Sequence, residues 1–93
     1  MKKRSVHIVV SGAVQGIGYR AWVERQAVAR GLSGWVRNRR DGTVEAIFSG
    51  DQPAVDAMVA TCWQGPQHAT VANVAITEDI AVEDGVFTIA PSE

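Results

Sequence analysis

A helix-like run stands on either side of an Asp-Gly hairpin, and this symmetry leaves few architectures open. Residues 33–38 and 43–49 read as strands joined through Asn38-Arg39-Arg40-Asp41-Gly42, and Asp-Gly between such runs is a strong hairpin signal. Upstream, residues 5–11 alternate with Val6, Ile8 and Val10 on one face, as a strand does. Residues 20–30 follow as a helix, with Val23 and Ala27 on an inward stripe beneath Tyr19 and Gly31 near its stop. Downstream, residues 52–63 carry the helical stripe Val55, Met58, Val59 and Cys62, stopped by Gly65-Pro66. Residues 71–78 make a fourth strand, and a short final strand is expected near 86–89. The order βαββαβ builds two split βαβ units: an α+β sandwich whose antiparallel sheet carries both helices on one face. With 93 residues, 46% of them hydrophobic, and no repeat, linker or low-complexity segment, 1–93 reads as a single domain with one modest core.

The two helix starts differ. Asp51 precedes Gln52-Pro53, so a capping acid and an early proline open the second helix in the expected way. The first follows a glycine-rich loop, Val10 to Arg20, reading VSGAVQGIGYR. Gln15-Gly16-Ile17-Gly18-Tyr19-Arg20 offers no short capping side chain, and it sets a permanent positive charge where the helix dipole is already positive. Either an anion completes such a site, cradled by backbone N–H groups that the glycines allow to converge, or water satisfies the helix start and the glycines only shape a turn. Two familiar phosphate motifs do not apply. The chain contains no Gly-Lys pair for a Walker loop, and Gly16, Gly18 and Ala21 satisfy GxGxxA in a chain too short for a dinucleotide-binding domain with a substrate domain.

Composition narrows the function classes further. A net charge of −1 gives no general pull toward nucleic acid or an anionic membrane. No stretch approaches the roughly 20 apolar residues of a membrane span. Lys2-Lys3-Arg4 before an apolar run imitates a short signal peptide, but His7 and Ser11 interrupt that run. The lone Cys62, on an apolar helical stripe, reads as a packed core thiol in a reducing compartment, and the chain as cytoplasmic. His7 sits on a strand and reads as a second-face sheet residue; His68, in a loop, has no ligand spacing to it. No cluster of His, Cys or acidic residues suggests a metal, so neither metal nor cofactor is expected. Trp22, Trp35 and Trp63 read as packing for the core and the helix–sheet seams.

The other informative stretch is Gly34 to Gly50, GWVRNRRDGTVEAIFSG. Asn38 ends a strand beside a turn holding Arg37, Arg39 and Arg40, of which Arg39 and Arg40 read as a solvated tip. With the loop, this stretch resembles the acylphosphatase family, whose members hydrolyse the carboxyl–phosphate bond. The family's first signature, G-x-V-Q-G-V-x-F-R, is met by Gly12, Val14, Gln15, Gly16, Ile17, Tyr19 and Arg20. Its second, G-W-V-x-N-x-x-x-G-x-V with a later Gly, is met by Gly34, Trp35, Val36, Asn38, Gly42, Val44 and Gly50. Ile17 and Tyr19 replace the usual Val and Phe, and Gly18 in the variable slot adds freedom to the loop.

The resemblance implies a ferredoxin-like fold and an enzyme acting on small acyl phosphates, with inorganic phosphate as product. It implies that Arg20 and the amides of Gln15, Gly16, Ile17, Gly18 and Tyr19 bind the phosphoryl group while Asn38 orients the attacking water. A stable carboxylate leaving group needs no general acid, and phosphoryl transfer rests on positioning and charge stabilisation. A monomer acting without nucleic acid or membrane is expected. Two other readings use the same fold: a domain handling carbamoyl phosphate, and an anion- or RNA-binding module. The latter needs aromatics on central strands, where residues 43–49 offer only Phe48.

Overall fold

The computed structural model of the chain describes residues 2–78 and 85–93. Its elements run β1 (Lys3–Ala13), α1 (Tyr19–Ala29), β2 (Ser33–Asn38), β3 (Val44–Asp51), α2 (Gln52–Gln64), β4 (Thr70–Thr77) and β5 (Phe87–Ile89). Every run expected from the pattern is present, with its ends moved by no more than two residues. The strands form one sheet in the order β4-β1-β3-β2-β5. The first four pair antiparallel, but β5 lies parallel to β2, with Gly34 opposite Phe87 and Val36 opposite Ile89. The sheet is therefore mixed rather than antiparallel. β4 runs antiparallel to β1, whereas β5 points in the direction of β1 and β2. At the far edge beside β2 it can pair only in parallel.

One core holds both helices to one face, as the period-2 pattern requires. Val6, Ile8 and Val10 of β1 meet Val36, Val44, Ala46, Phe48, Val74 and Phe87 from the other strands. Tyr19, Val23 and Ala27 of α1 and Val55, Met58 and Cys62 of α2 close over them. Burial pushes the Cys62 thiol up to about 12, which suits a core residue.

Two local expectations change. Asp51 occupies the N-cap of α2, with Pro53 in the first turn, but makes no capping hydrogen bond. Its carboxylate accepts from Lys3 Nζ at 2.8 Å instead, because β1 and β3 pair Lys3 directly opposite Asp51. The indoles are not all packed. Trp22 lies against the core, Trp35 lies half-buried under the Arg37 guanidinium at 5.1 Å, and Trp63 is exposed at the end of α2. The α2 stripe turns Cys62 inward, and the next residue necessarily faces away.

Gly34 locks the β5 edge. It pairs with Phe48 on one side and Phe87 on the other, and those two rings stack 5.6 Å apart across it. At φ +130° a Cβ there would stand 2.0 Å from the Ile47 carbonyl oxygen. Gly31 has φ +70° with open space around it. Gly34→Ala should therefore cost at least about 3 kcal/mol, against about 1 kcal/mol for Gly31→Ala, read from urea midpoints. Equal losses would show that the close approach is relieved by backbone movement.

Candidate active site

Register brings the two informative stretches together. Val44 at the start of β3 is paired by Val10 on one side and by Asn38 on the other. The loop leaving β1 and the residue ending β2 therefore stand at the same end of the sheet, one strand apart. Their approach forms a cleft of about 200 Å³ lined by Val14, Gly16, Gly18, Tyr19, Arg20, Ala21, Asn38 and Ile89.

The helix start is as uncapped as the sequence suggests. Gly18 is the N-cap in the left-handed region (φ 81°, ψ 17°), where it supplies no side-chain bond, and the first turn holds no acid. Glycine alone takes that conformation without strain, so the variable slot of the signature is used here to turn the chain into α1. The first helical bond runs from the Trp22 N–H to the Gly18 carbonyl at 3.0 Å, leaving the amides of Tyr19, Arg20 and Ala21 ahead of any helical acceptor.

Arg20 adds a guanidinium to that positive end. Among the described residues it pairs with no carboxylate, and its hydrogen-bond contact is a long one, Nη1 to Ser92 Oγ at 3.4 Å. Its neighbours differ. Arg37 donates from Nε to Glu45 Oε1 at 2.7 Å, and its Nη2 lies 3.7 Å from Glu93. Arg39 is not a freely solvated tip: its Nε is buried, 3.8 Å from Glu93 Oε1 and without a hydrogen-bond partner, whereas Arg40 is exposed. The chain end explains this, because the segment after β5 runs on beside β2. The Ala90 N–H donates to the Val36 carbonyl and the Glu93 N–H to the Asn38 carbonyl, which carries Glu93 to the arginines.

Asn38 holds the other half of the cleft. Its Oδ1 is buried with no hydrogen-bond partner among the described residues. A buried carbonyl oxygen left this way costs about 1–3 kcal/mol, a defect that a bound water or ligand would remove.

The six residues expected around the phosphoryl group divide. Gly16, Gly18, Tyr19 and Arg20 line the cleft, whereas Gln15 and Ile17 are not among its walls. Ile17 is 36% exposed. The Gln15 carboxamide donates instead to the carbonyls of Arg39 and Thr43, both at 2.8 Å. Tyr19 contributes main chain, since its ring is buried and its hydroxyl donates to the Cys62 carbonyl at 3.0 Å. Val14, Ala21 and Ile89 line the cleft unanticipated. The first two lie within the loop-and-helix stretch, and Ile89 arrives through a pairing that no local pattern announces.

Other candidates fall elsewhere. His7 meets Glu45 Oε2 at 2.6 Å across the sheet, as a second-face residue, and His68 lies in an exposed turn. Phe48 is fully buried in the core, so it offers no stacking surface. Among the described residues, no three His, Cys, Asp or Glu gather where they could hold a metal ion, and no helix is long and apolar enough to cross a membrane.

The chain is similar to known proteins over most of its length. The acylphosphatase family model matches residues 6–89. An acylphosphatase of Pelotomaculum thermopropionicum is 47% identical over 91 residues, covering 97% of this chain and 99% of that protein. Among solved structures, an acylphosphatase from Bacillus subtilis superposes with a TM-score of 0.90 at 35% identity, over 94% of this chain and 98% of that one. One from Coxiella burnetii gives 0.89 at 36% identity, over 95% and 93%. With both signatures, the βαββαβ order and the register of the cleft in agreement, the chain belongs to the acylphosphatase family of hydrolytic enzymes.

Proposed function

We propose that the cleft hydrolyses small acyl phosphates, with Arg20 and the amides at the start of α1 binding the phosphoryl group and Asn38 aligning the attacking water. The observation that carries this division is the pair of unsatisfied groups facing one cleft. One is a guanidinium that meets no carboxylate among the described residues and holds only a long bond to Ser92, beside an uncapped helix start; the other is a buried carbonyl oxygen with no donor among the described residues. A phosphoryl dianion answers the first and a water O–H answers the second.

The chemistry needs little more. The guanidinium fork and the orphan amides hold the phosphoryl oxygens and neutralise charge as it develops. Water aligned by Asn38 Oδ1 attacks phosphorus, and the P–O bond to the acyl group breaks, its electron pair leaving on the carboxylate. The water's proton passes to a phosphoryl oxygen, giving inorganic phosphate. Asn38 cannot act as a base; it fixes the direction of attack. The amides of Gln15 and Ile17 stay part of the cradle in this reading, as expected from the sequence, although neither residue is among the cleft walls. The buried Cys62 thiol fits a protein working in the cytoplasm, and a monomer is the expectation for a chain of this size.

Benzoyl phosphate mixed with the purified chain should lose its acyl phosphate, and exhaustive chelation with EDTA should leave the rate unchanged. Loss of activity restored by a divalent ion would overturn the mechanism. Inorganic phosphate should inhibit competitively and raise the melting temperature through mass action. If saturating phosphate does neither, the cradle lies elsewhere.

The two principal residues should separate kinetically. Arg20→Lys keeps a charge but loses the planar fork, so phosphate affinity and turnover should both fall, turnover by on the order of 10³-fold. Asn38→Ala should collapse turnover while phosphate affinity stays within roughly three-fold, the pattern of an interaction used in the transition state. Near-normal turnover in a folded Asn38→Ala variant would remove its assigned role.

A further inference from the structure

The side chain of Gln15 reaches from the glycine loop to the neck of the β2–β3 hairpin. Both of its acceptors are turn carbonyls already in use. The Arg39 carbonyl accepts from the Gly42 N–H at 3.2 Å, and the Thr43 carbonyl accepts from the Arg39 N–H at 2.9 Å. Gln15 Nε2 fills a second lone pair on each at 2.8 Å, which uses both of its hydrogens. The orientation of the carboxamide follows, since its own oxygen would be repelled by two carbonyls.

The position of these bonds gives them meaning. Arg39 directly follows Asn38, and Thr43 directly precedes Val44, the residue opposite Asn38 in the ladder. Among the described residues Asn38 Oδ1 has no hydrogen-bond partner, so no bond at that oxygen fixes where the side chain sits. The backbone on either side carries that side chain, and Gln15 bonds to the carbonyls of the hairpin neck beside it. We propose that Gln15 is a positioning residue, whose carboxamide locks the hairpin carrying Asn38 to the loop carrying the phosphate cradle. The bond pair fixes the offset between the aligned water and the bound phosphorus. The proposal rests on the functional reading above, in which Asn38 aligns water.

A side chain of similar length without donors tests this. In Gln15→Met, turnover of benzoyl phosphate should fall by roughly 10- to 100-fold, the scale of a displaced reacting group, while the Kd for inorganic phosphate stays within roughly three-fold. In an Asn38→Ala background the same change should cost less than roughly three-fold more, because the group it positions is gone. A merely structural role would lower both backgrounds alike. The bonds can also be read in the wild-type protein by NMR. The Gln15 side-chain NH₂ should exchange far more slowly than that of the exposed Gln64. Unchanged turnover, parallel loss of phosphate affinity, the full penalty persisting without Asn38, or free exchange of the Gln15 NH₂ would each overturn the proposal. Failure of the wild-type chain to hydrolyse benzoyl phosphate would instead refute the functional reading, and the exchange measurement would still report on the bonds.

Discussion

Two strands that share one partner residue set up everything else in this molecule. Val44 is flanked by Val10 and by Asn38, so β1 and β2 run side by side in the same direction with β3 between them. A one-residue slip in either ladder would turn every side chain of that strand to the opposite face of the sheet. Val6, Ile8 and Val10 would leave the core in one case, and Val36 and Asn38 would change faces in the other. The hydrophobic pattern that fills the core is thus the same pattern that aims Asn38 at the glycine loop.

Charge is distributed around this frame with a clear division. Burial alone raises the Glu45 carboxyl, but hydrogen bonds with His7 and Arg37 outweigh it and hold the group below the usual carboxylate range. Glu93 sits between Arg37 and Arg39, near both without a close bond to either. Acids therefore accompany Arg37 and Arg39 of the hairpin, while among the described residues Arg20 has only the distant Ser92 hydroxyl. In the proposed reading, a phosphoryl group arriving in the cleft would meet a cation that no carboxylate among the described residues competes for, which would favour binding without prior rupture of an ion pair.

Local chemistry made much of this legible in the sequence. An uncapped, arginine-bearing helix start can be read from six consecutive residues, and the Asp-Gly turn from two. The structure adds that Asp41 Oδ1 accepts from the Thr43 N–H, completing the turn. What could not be read depends on residues far apart. Asp51 is spoken for by Lys3 across the sheet, and β5 adopts a direction set by the whole chain path. Ile89 and Glu93 reach the site only because β5 and the residues after it extend along β2. The Gln15 contact was hidden for another reason: its residue type suited a loop, and its partners are carbonyls, which every residue has.

Tyr19 carries a last consequence. It immediately precedes Arg20, yet its ring lies in the core, and its hydroxyl is tied to the last turns of α2 at the Cys62 carbonyl. Burial holds that phenol well above its ordinary range, so it stays a neutral donor throughout the physiological span. The backbone that presents the guanidinium is consequently anchored to the centre of the domain rather than carried on a loose surface loop. The start of α1 is therefore held by the same packing that holds the domain together. Heat should extinguish turnover at the same midpoint at which the domain unfolds as a whole, and up to that point the entropy of arranging the cleft is already settled by folding.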